Sequence, residues 1–144
     1  MAQFEKVLAG GDLRSIGKSN SVVLKVRDQD GFDELFKCQF YNDRIVVMRA
    51  ADAIEKITIQ HASYLTKYKS DLLKLCLTAK NKELKWHLAL LVLRLNLSVE
   101  EIEVVWQLLS GWALDKQESK IVRVNAMQAL YEISLREKQR IKEF

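Results

Sequence analysis

Tryptophan and arginine anchor many protein interfaces, because each joins a broad flat surface to hydrogen-bond donors. Trp86, Arg49, Arg94 and Arg123 are spaced along this chain among apolar residues. His87 follows Trp86 directly, and Asp52 lies four residues before Lys56. Acid before base at that spacing is the favoured order for an ion pair along a helix. The chemistry open to these residues is recognition: an aromatic anchor, a histidine, and charged groups for a peptide or an anion. Each also has a plain structural reading. Arg123 can stack on Trp86 as a cation–π pair. Arg49, Asp52 and Lys56 can form a solvated helix face worth a few tenths of a kcal/mol.

Signals for catalysis are weak. His61 and His87 are the two histidines, and Glu83 with His87 supplies two metal ligands where several must converge. Cys38 and Cys76 sit beside Phe, Leu and Thr neighbours with no base in view, which suits small core residues. Gly10-Gly11 lacks the rest of a phosphate-binding pattern, and no nucleophile elbow or acidic pair is present. The expectation is a non-enzymatic chain with no cofactor and no metal. In the tail, Arg136, Lys138, Arg140 and Lys142 are basic and Glu137 and Glu143 interrupt them, as suits a helix C-terminus. Tyr64 and Tyr68 flank Lys67 and Lys69, which fits either phosphate contacts or a helix surface.

The elements that would position these residues are helices. The chain has 144 residues, no proline and five glycines, none of them between Phe32 and Ser110. Sheet proteins need turn residues more often than this. Ile45, Val46, Ala50, Ala53, Ile54 and Ile57 form one apolar helix face; so do Leu84, Leu88, Leu91, Val92 and Leu95, and so do Ile121, Val122, Ala126, Ala129, Leu130 and Ile133. Asp43, Asn81 and Ser119 stand at their starts as candidate caps, and Ser98 with Glu101 forms a possible capping box. The spacing predicts helices near 3–9, 20–28, 31–40, 43–59, 63–79, 82–96, 98–114 and 119–139, with 10–19 least defined. The length fits one all-α domain over 1–144. No apolar run approaches membrane-spanning length and no basic-then-apolar leader opens the chain, so the expected setting is cytoplasmic, away from membranes.

The helices repeat. An offset of 76 residues aligns Ile45, Val46, Ala50, Ala53, Ile54 and Ile57 with Ile121, Val122, Ala126, Ala129, Leu130 and Ile133. A middle copy places Ala89, Val92 and Leu93 at steps of 39 and 37. Such a period, carried by helix pairs, points to stacked repeats. The run Val122-Arg123-x-x-Ala126-x-x-Ala129-Leu130 resembles the second helix of a HEAT repeat, and Arg49-Ala50-Ala51-Asp52-Ala53-Ile54 is similar. Val47 and Trp86 stand where that motif has its arginine, and the first-helix proline is missing. The likeness covers roughly residues 20–139. Arg49–Ile57, Glu83–Leu97 and Ser119–Leu130 also resemble small bacterial HEAT-repeat proteins.

The resemblance implies a right-handed α–α superhelix of the armadillo type, with about three to four helix pairs and the second helices lining a concave side. Val47, Trp86 and Arg123 would then form one row, and Met48, His87 and Val124 the next. Arg44, Arg49, Asp52, Lys56, Arg94 and Asn125 would share that face. The leading expectation is a scaffold that grips a protein partner there. Nucleic acid is the second choice, because the formal charge is +4 and some HEAT-like solenoids cradle duplex DNA. One bacterial group of these excises alkylated bases, but this chain is short and shows no match to that group's catalytic acid. A third expectation is self-assembly through apolar ends at Phe4, Val7 and Leu8 or at Ile133, Ile141 and Phe144.

Overall fold

A computed structural model describes Phe4, residues 7–9 and residues 17–142. The Gly10-Gly11 pair and Phe144 fall outside these. Among the described residues the protein is all helical, with no strand. It divides into two compact units, Met1–Lys67 and Tyr68–Phe144.

In the first unit, Phe4, Val7 and Leu8 are helical. They are followed by α1 (Gly17–Lys25), α2 (Gln29–Phe36), a 3-10 turn at Lys37–Phe40 and α3 (Arg44–Gln60). Asp28 caps α2 by accepting from the Gly31 N–H at 2.8 Å. Asp43 caps α3 through the N–H groups of Ile45 and Val46, as its position in the sequence predicts. Both satisfy donors that a helix start leaves without partners. α3 is the centre of the unit and packs against α1 and α2. Val46, Val47, Met48, Ala50, Ala51, Ala53, Ile54 and Ile57 are all buried. Phe32, Leu35 and Phe36 of α2 join them. Tyr64, in the following 3-10 stretch (Ala62–Tyr68), lays its ring 5.3 Å from that of Phe32.

The second unit contains α4 (Lys69–Thr78), α5 (Lys82–Leu91) with a 3-10 turn at Val92–Arg94, α6 (Val99–Leu114) and α7 (Lys120–Lys142). α4 packs on α5 and α6, α6 on α7, and α5 on α7. The capping box at Ser98 and Glu101 is present in both directions, and Ser119 accepts from the Val122 N–H. Asn81 occupies the cap position of α5, but its side chain makes no capping bond. Leu84, Leu88, Leu91, Val92 and Leu95 are buried along the predicted face. On α7, Val122, Ala126, Ala129 and Ile133 are buried, whereas Ile121 is 44% exposed. Among the described residues no helix is long and apolar enough to cross a membrane.

The start of α6 is tied to α4. Lys69 Nζ donates to Glu101 Oε1 at 2.9 Å and to the Asn96 carbonyl at 3.2 Å. The Lys69 ammonium, then the Ser98 backbone N–H, hold the Glu101 carboxyl below its ordinary range. A depressed carboxyl stabilises the fold at neutral pH, and that contribution is lost as pH falls through the folded-state value. Glu101→Gln is therefore expected to lower the melting temperature at pH 7, with the gap to wild type closing in acid. Ser98→Ala should cost about 1 kcal/mol at neutral pH. Thermal melts across pH check both; a Glu101→Gln gap that persists below the carboxylate range would contradict the assignment.

Candidate functional site

The recognition residues expected from the sequence belong to both units. Arg49, Asp52 and Lys56 lie on α3; Trp86 and His87 on α5, Arg94 on the turn after it, and Arg123 on α7. Arg49 is not on a surface: it is fully buried. Its Nη1 donates to the carbonyl of Leu8 at 2.7 Å. Val47 and Met48, expected in rows of the same face, are buried too. Asp52 and Lys56 form their ion pair at 2.8 Å, and Lys56 also donates to Asn20 Oδ1 of α1. The Lys56–Asn20 bond ties α3 to α1.

In the second unit, the histidine is enclosed by its neighbours. His87 Nδ1 lies 2.7 Å from the Glu83 carbonyl, which can only accept, so Nδ1 carries the proton. Nε2 then accepts from the Trp86 indole N–H at 3.3 Å. Both ring nitrogens are engaged and the side chain is buried, which leaves no lone pair for a metal. Among the described residues no cluster of three His, Cys, Asp or Glu side chains is placed to hold one. Trp86 is half-buried, and its carbonyl accepts from Asn125 Nδ2 at 3.1 Å.

Arg123 is also half-buried, and its Nε donates to the Ala113 carbonyl at 3.0 Å, near the C-terminus of α6. Lys85 Nζ lies over the Trp112 ring, 5.7 Å from its centre. Lys85 also pairs with Glu118 at 2.6 Å. Arg136 donates to the Leu93 carbonyl at 2.7 Å. Arg123 and Arg136 thus act alike: each binds a carbonyl near the C-terminal end of a helical segment, where positive charge meets the negative end of the helix dipole.

The cysteines are inert by position. Cys38 and Cys76 are free and buried. Burial pushes the Cys76 thiol up to about 12, so the nucleophilic thiolate is scarcely populated at neutral pH.

An open concave surface lies elsewhere, between α6 and α7. Two adjoining hollows of about 300 and 400 Å³ share Ile102, Ile133 and Glu137. Val92, Leu95 and Leu97 line the first; Val99 and Trp106 line the second. Val99 is 63% and Trp106 36% exposed. Arg136, Glu103 and Lys138 form the polar rim. Sequence reasoning does not single out Trp106. The available signal is its place in α6, outside the buried stripe of Val105, Leu109 and Trp112. Comparison with protein-family models, curated proteins and solved structures gives no match for the chain.

Proposed function

We propose that this chain is a non-enzymatic protein-binding module, a short superhelix of HEAT-like helix pairs that takes an apolar protein segment in the α6–α7 groove. The repeat offset of 76 residues and the packing of α5 on α7 support the repeat architecture. One observation carries the binding reading: a half-exposed tryptophan stands beside an apolar hollow of about 400 Å³ with a mixed-charge rim. Interfaces concentrate their energy in such aromatic anchors. The ligand suited to it is an amphipathic helix with apolar side chains toward Ile102, Trp106 and Ile133. Trp86, the anchor expected from the sequence, is engaged with His87 and contributes to the fold.

Nucleic acid fits less well. Lys37, Lys56, Lys67, Lys69 and Lys85 are each paired with a carboxylate at 3.2 Å or less, which opposes phosphate binding at these positions. Selection from a displayed library of helical peptides tests the proposal. The selected peptides are expected to lose about tenfold or more in affinity for Trp106→Ala. Equal binding by that variant overturns the groove assignment. Salt-sensitive binding of random duplex DNA near 10⁻⁴–10⁻⁶ M would favour the nucleic-acid reading instead.

A further inference from the structure

A different surface of α7 leads beyond the groove. Ile121, Val124, Met127, Tyr131 and Leu135 are 44–59% exposed. Their spacing of three, three, four and four puts them on one stripe about 21 Å long, on the side of the helix away from buried Val122, Ala126, Ala129 and Ile133. α7 is therefore apolar on two sides. Several of its counterparts in the repeat are covered, while Ile59, the counterpart of Leu135, is 64% exposed. The 76-residue offset puts Val124 at Met48 and Met127 at Ala51, and the 37-residue step puts Ile121 at Leu84 and Val124 at His87. These four counterparts are buried. At the opening of the first unit, Phe4, Leu8 and Val22 are buried as well.

We propose that the outer stripe of α7 binds a second copy of this chain in an antiparallel two-fold contact. The spacing is nearly symmetric about its own middle. Ile121 and Leu135 lie seven residues either side of Gln128, and Val124 and Tyr131 lie either side of the Met127–Gln128 midpoint. An isologous contact needs a patch that complements itself after a half-turn. Here Ile121 of one copy meets Leu135 of the other, Val124 meets Tyr131, and the Met127 side chains meet near the axis. Two such stripes with their rims cover on the order of 1,000 Å², the lower end for a specific interface. The contact closes on itself, so assembly stops at two. Exposed Lys120 of one copy comes beside exposed Lys138 of the other. This repulsion opposes the apolar contact, and added salt relieves it.

Sedimentation velocity over a concentration series tests the proposal. The mass is expected to rise from 16.7 kDa toward twice that value with concentration, and to rise further at higher salt. Val124→Glu and Tyr131→Glu lie on exposed sites, so they should keep the helical spectrum and melting temperature while losing association. Trp106→Ala lies in the groove and should still associate, which separates this contact from the proposed peptide site. Orientation is read by cross-linking. Gln128→Cys should oxidise to a covalent dimer, whereas Ile121→Cys, about 21 Å from its own copy in this arrangement, should not. A constant mass up to millimolar concentration overturns the proposal. So does dimerisation of both Glu variants, assembly beyond two, or self-linking at Ile121→Cys.

Discussion

Arg49→Ala should destabilise the protein by about 3 kcal/mol, since it deletes a buried side chain and leaves a buried carbonyl without its donor. Against a total stability of roughly 5–15 kcal/mol this is a large share, and it should lower the melting temperature by on the order of 10 °C. The guanidinium has no exposed surface and reaches the Leu8 carbonyl, 41 positions away in the chain. Loss of the bond should release the segment of Phe4 and Leu8 from α3, so exchange of the amide protons near Leu8 should rise more than in α6. Arg49→Met separates two effects. It refills most of the volume and removes a charge that is costly to bury. The methionine variant should therefore recover part of the loss while leaving Leu8 exchange elevated. A melting temperature within a degree or two of wild type for Arg49→Ala would contradict the buried position. Denaturant midpoints and hydrogen exchange provide both readouts.

The same arginine shows what the sequence can reveal. Caps at Asp43, Ser98 and Ser119 are legible because each bond spans two or three residues. Helix faces are legible because burial repeats with the turn. Short 3-10 segments at Lys37–Phe40 and Val92–Arg94 merge into the preceding helices when read from spacing, because periods of 3.0 and 3.6 do not separate over three or four residues. Arg49 stands inside an apolar run from Ile45 to Ala51. That is a sign of a helix covered on several sides, yet its partner is too distant in sequence for spacing to find. The Asp52–Lys56 pair is legible from spacing; the Ala113 carbonyl as partner of Arg123 is not. On α7 the second apolar stripe is present in the spacing of Val124, Met127, Tyr131 and Leu135, but it competes with a first face that is equally apolar. Periodicity finds apolar faces; it does not say which face the rest of the chain will cover.

Lys85 and Glu118 supply the second large effect, and it turns on how buried an ion pair must be before it matters. They meet at 2.6 Å with side chains only 15% and 12% exposed, and Lys85 also lies over Trp112. Removing one partner from a largely buried pair strands the other charge, at a cost of about 3–5 kcal/mol when burial is complete. With the residual exposure here, Lys85→Ala should cost about 2–3 kcal/mol, the lower part of that scale. The cause is the stranded Glu118 carboxylate, so adding Glu118→Gln to Lys85→Ala should recover part of the loss, and the coupling in the double-mutant cycle should reach about 1–2 kcal/mol. Lys37 and Glu34 offer an internal contrast, at 3.2 Å with 58% and 28% exposure. Breaking that pair should change stability by about 0.5 kcal/mol or less. Added salt should weaken the exposed pair and leave the Lys85–Glu118 coupling largely intact, because screening by mobile ions reaches buried charges poorly. A Lys85–Glu118 coupling that matched the Lys37–Glu34 value, or vanished in molar salt, would place both pairs on the surface and remove the ion pair from the account of how the second unit holds together.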